Sequence, residues 1–215
     1  MDNEKNYQTL GLISQKSKLE TEDINALLKL SQSDDSEIRS YVAQLLVMSY
    51  GKDAEKALIN MCGDADEIVR TNACDSLSAF ATGDVYNKLT DCVLNDKSNL
   101  VKTYALLSLA DIAGQAKCDT EELKQLFIRF SSDKNVSVSA ACFRGMYILG
   151  NKDCLKNLLN LISSENYQDR CMVVNILGDI LSNENNSQII SELKRIRQTE
   201  SSKAVISTID SIIYG

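Results

Sequence analysis

The 215-residue sequence contains no proline, no histidine and no tryptophan. At an average usage of about 5%, a chain of this length would hold roughly eleven prolines. Because proline removes a backbone donor and clashes inside a helix, its absence is compatible with helices throughout the chain. The absence of histidine removes the commonest general base and metal ligand, which disfavours much acid–base and metal-dependent catalysis.

A basic excess and long apolar runs are also missing. The net charge is −7 and the sequence pI is about 4.8. An acidic chain has no general field that attracts phosphate backbones, so we expect no nucleic-acid partner. No apolar run approaches the roughly 18 residues that span a bilayer, and the N-terminus shows no apolar signal segment. We therefore predict a cytoplasmic protein with no membrane partner.

The cysteines are dispersed and form no C-x-x-C pair. Their odd number suggests a reducing compartment. Most occupy apolar positions of helical patterns, where a free thiol behaves as a small hydrophobe. We therefore predict buried structural thiols, no metal site and no cofactor. The seven are Cys62, Cys74, Cys92, Cys118, Cys142, Cys154 and Cys171.

Catalytic signatures are absent as well. The sequence has no G-x-S-x-G elbow, no phosphate-binding loop and no G-x-G-x-x-G turn. We predict no catalytic residue and favour a non-catalytic protein, although an enzymatic role stays open.

What the sequence does contain is a recurring unit of a short first helix, a polar break and a longer second helix. Residues 1–20 are predicted to form an N-terminal cap or tail, and residues 21–215 a single repeat domain. Gly51, Gly83, Gly114 and Gly150 follow the second helices as predicted left-handed stops. The second helices align on one anchor position, occupied by Arg39, Arg70, Lys102, Ser139, Arg170 and Ile206.

The spacing of these anchors, between 31 and 37 residues, indicates a solenoid of two-helix repeats. Apolar residues recur three and seven positions after each anchor, which places them on one helix face. That face requires burial against neighbouring repeats. Its members are Val42, Leu46, Ala73, Leu77, Ala105, Leu109, Cys142, Met146, Val173, Leu177, Ile209 and Ile213.

The segment Asp66-x-x-Val69-Arg70-x-x-Ala73 resembles the opening of the second helix in the HEAT-repeat (armadillo-like) family. The segment Asp35-x-x-Ile38-Arg39-x-x-Val42 repeats it in register. The resemblance implies an all-α fold, a right-handed α-α superhelix of about six two-helix repeats with an N-terminal cap. It also implies second helices on the concave side, and an acid–base ladder between adjacent repeats. Ser139 and Ile206 depart from the family pattern at the anchor.

In such a solenoid the positions two, five and nine after the anchor lie off the apolar face and become candidates for partner binding. Tyr and Arg are enriched at interface cores, Asn pairs with a peptide backbone, and acids favour a basic partner. We therefore predict a scaffold or adaptor that binds a protein or peptide on its concave face, with acids that favour a basic partner. The predicted partner-binding residues, here called the second-helix stripe, are Tyr41, Asn72, Asp75, Tyr104, Asp111, Arg144, Asn175 and Asp179.

Two other functions stay open. A bilin-lyase-like HEAT enzyme or enzyme subunit would need a pocket with convergent carboxylates, for which Asp75 and Asp111 are candidates. The acidic net charge would also suit a toxin-neutralising immunity protein. The oligomeric state is not predicted.

Overall fold

The computed structural model describes residues 3–113 and 120–215. Within these ranges the chain forms thirteen α-helices and no β-strand, which confirms the predicted all-α class. Gly114 and Cys118 lie outside the described residues. The helices are α1 Asn3–Ser14, α2 Thr21–Leu30, α3 Ser36–Leu46, α4 Lys52–Met61, α5 Glu67–Ser76, α6 Gly83–Asn95, α7 Asn99–Ile112, α8 Thr120–Phe130, α9 Val136–Ile148, α10 Cys154–Leu161, α11 Tyr167–Asp179, α12 Asn186–Arg197 and α13 Lys203–Tyr214.

The helices belong to two compact units, residues 1–119 and residues 120–215. The N-terminal unit contains α1 and the pairs α2/α3, α4/α5 and α6/α7, and its second helices pack side by side with α5 between α3 and α7. The C-terminal unit contains the pairs α8/α9, α10/α11 and α12/α13, with α11 between α9 and α13. The predicted partition into a cap at 1–20 and a single domain at 21–215 stays a prediction.

The apolar face of the second helices forms the core of each unit. Of the twelve residues predicted for it, eleven are buried, and Ile213 near the C-terminus is half-buried. Leu46, Leu77, Leu109 and Leu177 are all fully buried. Each contributes about 1.5–3 kcal/mol of hydrophobic stabilisation. The repeat spacing therefore translates directly into stacked helix pairs.

Side-chain caps fix where the second helices begin. Asp66 Oδ1 accepts hydrogen bonds from the backbone N–H groups of Ile68 (2.8 Å) and Val69 (3.2 Å). Asp35 caps α3 in the same way through the N–H of Glu37 at 2.9 Å. Such caps satisfy N–H groups that have no partner within the helix.

The acid–base ladder that the resemblance implies is present, but a different acid forms it. Arg39 donates from Nε and Nη2 to both carboxylate oxygens of Asp64, at 2.7 and 2.8 Å, so its partner lies two residues before the capping Asp66. The same bidentate pairing joins Arg70 to Asp96. The hydrogen bonds from Arg39 lower the pKa of Asp64 below its ordinary value.

Among the described residues, the C-terminal unit carries one such rung. Arg170 donates to both carboxylate oxygens of Glu200 at 2.7 and 2.8 Å, and this pairing lowers the pKa of Glu200. Ser139, which replaces the basic anchor in α9, instead donates its hydroxyl to the backbone oxygen of Asp133 at 2.9 Å. A rung of the same kind is therefore also present in a repeat that matches the family segment less well.

The predicted glycine stops are correct at only one described position. Gly150 has φ +102° after α9, as a left-handed helix end requires. The prediction is wrong at Gly51, which has an extended backbone and precedes α4, because exposed Tyr50 takes the left-handed conformation with φ 47°. It is also wrong at Gly83, which is the first residue of α6.

Candidate partner-binding surface

The second-helix stripe of the N-terminal unit places one polar or aromatic residue at the same repeat position on three adjacent helices. Tyr41 on α3, Asn72 on α5 and Tyr104 on α7 are all half-buried. Asn72 Nδ2 donates to Ser40 Oγ at 2.7 Å, which joins α5 to α3. Asn72 therefore contributes to packing between repeats as well as to the surface.

Two carboxylates accompany these residues. Asp75 on α5 and Asp111 on α7 are exposed. Burial, together with the negative charge of Asp75, raises the pKa of Tyr104 above its ordinary value of 10.0. At neutral pH the Tyr104 hydroxyl is therefore a protonated hydrogen-bond donor beside an acid.

A depression of about 490 Å³ adjoins the stripe between α3 and the start of α5. Its apolar contributions are the ring of Tyr41 and the side chain of Ile68, which is 47% exposed. The hydroxyl of Tyr7 donates to Glu37 Oε2 at 3.1 Å at one of its walls. The lining of this α3–α5 depression consists of Ser36, Glu37, Ser40, Tyr41, Gln44, Asp66 and Ile68.

The C-terminal residues of the stripe occupy a different environment. Asn175 and Asp179 are exposed, whereas Arg144 is only 8% exposed, with its Nε 3.6 Å from Asp179 Oδ2. Asp179 also lines a second depression of about 490 Å³. In that depression the ammonium of Lys152 lies 4.2 Å from the centre of the Tyr147 ring, so a cation already covers the aromatic face.

The two units differ in net charge. Residues 1–119 contain 19 acidic and 12 basic residues, whereas residues 120–215 contain 11 of each. The whole net charge of −7 therefore belongs to the N-terminal unit. A negative field of this kind attracts basic segments and repels acidic ones.

Sequence reasoning missed part of the depression. Ser36, Glu37 and Ser40 on α3 line it, yet the expectation of two, five and nine positions after the anchor passed over them. The sequence pattern identifies Asp66 as a motif acid but does not assign it to a surface. A sequence signal for this part of the surface does exist. Acids cluster at the first turns of α3 and α5, next to the exposed side chain of Ile68.

Five of the six described cysteines are buried, as predicted, and Cys171 is half-buried. Three of them converge between α4, α5 and α6. The sulfurs of Cys62, Cys74 and Cys92 all lie within 4.8 Å of one another. The available signal was that Cys62 and Cys92 are 30 positions apart, close to one repeat, which places both on neighbouring first-helix segments.

Comparison with known proteins agrees with this architecture. Residues 24–110 match a family model described as HEAT repeats. The match covers α3, α5 and most of α7, with their anchors Arg39, Arg70 and Lys102. The match covers 87 of the 215 residues, and within them the stacked helix pairs are HEAT repeats. None of the helices in the described ranges has the length and apolar character that a bilayer span requires.

Individual relatives are more distant. Protein YibA of Escherichia coli (strain K12) is 26% identical over 166 residues, which cover 73% of this chain but 56% of YibA. The X-ray structure of YibA matches with a TM-score of 0.57 at 21% identity, over 94% of this chain and 73% of that one. One chain in the structure of the complex of CpcE and CpcF of phycocyanin lyase from Nostoc sp. PCC7120 matches with a TM-score of 0.65 at 18% identity. The match covers 97% of this chain and 87% of that one. These likenesses concern the fold.

Proposed function

We propose that this HEAT-repeat protein is a non-catalytic scaffold whose N-terminal unit binds a lysine- or arginine-rich segment of another protein or peptide. The observation that carries the proposal is the concentration of the entire net negative charge in the unit that holds the acid-lined α3–α5 depression. The contacts would come from the N-terminal members of the stripe, Tyr41, Asn72, Asp75, Tyr104 and Asp111. Arg144, Asn175 and Asp179 form a separate candidate contact in the C-terminal unit.

The lining of the depression suits a long basic side chain. Lysine and arginine bury their aliphatic stems on apolar surface while the charged head stays near water or an acid. Here the stem would pack on the Tyr41 ring and Ile68, and the head would approach Glu37 and Asp66. Asp75 and Asp111 would then attract further basic residues of the same segment.

Fluorescence anisotropy with a labelled Lys/Arg-rich peptide and an acidic peptide of equal length tests this function. We expect binding of the basic peptide alone, weakened between 50 and 200 mM salt because exposed charges are screened. The pair of substitutions Asp75→Asn and Asp111→Asn should lower the affinity about five- to tenfold, and Tyr41→Ala should lower it as well.

The matched control is the pair Asp53→Asn and Asp84→Asn. These exposed acids lie in the first turns of α4 and α6, on first helices, so the change in net charge is the same at a different surface. Unchanged affinity in the control with reduced affinity in the stripe variant supports the surface. Equal losses in both would show that net charge alone drives binding and would contradict the assignment.

A lyase-type role is the alternative that the fold itself suggests, because the likeness to the CpcE–CpcF complex covers 97% of this chain. That role would need Asp75 and Asp111 to converge in a pocket. Both are exposed, and neither lines the depressions described above. Titration with a free bilin, followed by its visible absorbance, separates the two functions: a saturable spectral change lost with Asp75→Asn would favour the lyase-type role.

A further inference from the structure

The cysteine cluster of the N-terminal unit has the composition and geometry of a metal site. Cys62 directly follows α4, Cys74 lies on α5 and Cys92 on α6. The Cys62 and Cys74 sulfurs are 3.7 Å apart, and all three lie within 4.8 Å of one another. A metal–sulfur bond of about 2.3 Å in a trigonal plane separates its sulfurs by about 4 Å, so an ion fits with small side-chain movements.

The surroundings of the cluster restrict which ion it could hold. The three residues are 3%, 0% and 4% exposed, which leaves no open side for a water ligand. The group contains three sulfurs and, within the described residues, no carboxylate. Structural zinc is almost always four-coordinate, whereas thiolate ligands also select the softer Cu(I). We propose that Cys62, Cys74 and Cys92 form a three-coordinate thiolate site for Cu(I).

A cation lies near this buried cluster and would favour the thiolate form of its ligands. The ammonium of Lys88, one turn before Cys92 on α6, interacts electrostatically with the sulfurs of Cys92 and Cys62. Each thiol that coordinates the ion releases its proton.

The site is independent of the proposed scaffold function. Its cysteines are buried between α4, α5 and α6, and none of them belongs to the second-helix stripe or lines the α3–α5 depression. Loss of metal binding and loss of peptide binding are therefore separable results.

Anaerobic titration of the full chain with Cu(I), in competition with a chromogenic Cu(I) chelator, tests the proposal. We expect one Cu(I) per chain in the wild type, and loss of this complex in Cys62→Ala, Cys74→Ala and Cys92→Ala. The matched control is Cys142→Ala, which removes a fully buried thiol of α9 outside the cluster and should leave binding intact. Circular dichroism of each metal-free variant verifies that it is folded.

Lys88→Met provides a variant that keeps all three ligands. Removing a group that acts through the ligands should weaken Cu(I) binding about tenfold without abolishing it. Wild type that competes for Cu(I) no better than folded Cys92→Ala, or a site that takes Zn(II) in preference to Cu(I), would overturn the proposal. Equal loss of binding in folded Cys142→Ala would also overturn it.

Discussion

The two units of this protein are built from the same helix pair but differ in what they add to it. Both bury the residues three and seven positions after the anchor, except for half-buried Ile213 in the C-terminal unit. Both contain a bidentate ladder rung, Arg70 to Asp96 in one and Arg170 to Glu200 in the other. The N-terminal unit carries the net charge, and within residues 3–113 and 120–215 it alone contains a cysteine cluster. The same helix stacking therefore accommodates units that differ in charge and in buried polar side chains.

The ladder provides the strongest way to compare the units. Arg70→Ala should lower the free energy of unfolding by about 3 kcal/mol, because it leaves Asp96 without its cation in a place where the two side chains are only 7% and 9% exposed. Arg170→Ala, at 15% and 4% exposure, should cost a similar or smaller amount. Urea unfolding of both variants gives the comparison.

If the cost of Arg70→Ala stays below that of Arg195→Ala, the ladder does not stabilise the stack. Arg195 is a suitable reference because its pairing with Glu192 lies within the surface of α12, where an ion pair contributes little.

Close packing of α9 on α8 gives the next largest effect. A Cβ on Gly145 would lie 2.4 Å from the ring of Phe127, which is fully buried and has little room to move. Gly145→Ala should therefore cost about 2 kcal/mol despite the better helix propensity of alanine. In Gly178→Ala the nearest atom, at 2.9 Å, is the flexible end of half-buried Ile212, so the loss should be smaller. Thermal unfolding ranks the two, and the reverse order would contradict this packing account.

Lowering the pH should weaken the ladder in both units, with a smaller effect on stability than the substitutions above. Pairing with arginine lowers the folded-state pKa of Asp64 and Glu200 below their ordinary values of 3.8 and 4.5. The stabilisation is present above those ordinary values and is lost as the pH falls through the lower folded-state values. The difference in melting temperature between wild type and Arg170→Ala should therefore shrink when the pH is lowered from 7 towards 3. An unchanged difference would rule out this linkage.

Much of the fold was predictable from the sequence because one period repeats. The anchor spacing and the apolar residues beside it, such as Leu77 and Leu109, predict stacked helices without any knowledge of contacts. The ladder partner was not predictable in the same way, because Asp64 and Asp66 are both acids near the helix start. Only the loop geometry decides that Asp66 caps α5 while Asp64 meets Arg39.

The candidate surface was predictable only in part. The helical period places Tyr41, Asn72 and Tyr104 off the apolar face, where the structure has them half-buried. Burial of Arg144 beside Asp179 depends on packing that the period does not encode. The convergence of Cys62, Cys74 and Cys92 depends on how first and second helices of different repeats meet. Such contacts between residues that are distant in sequence need the three-dimensional structure.

Hydrogen–deuterium exchange of the full chain, with and without a Lys/Arg-rich peptide at saturating concentration, tests the central claim most directly. We expect the peptide to slow exchange in the first turns of α3 and α5 and along α7, and to leave residues 120–215 unchanged. Protection confined to residues 120–215, where acidic and basic residues are equal in number, would contradict the account.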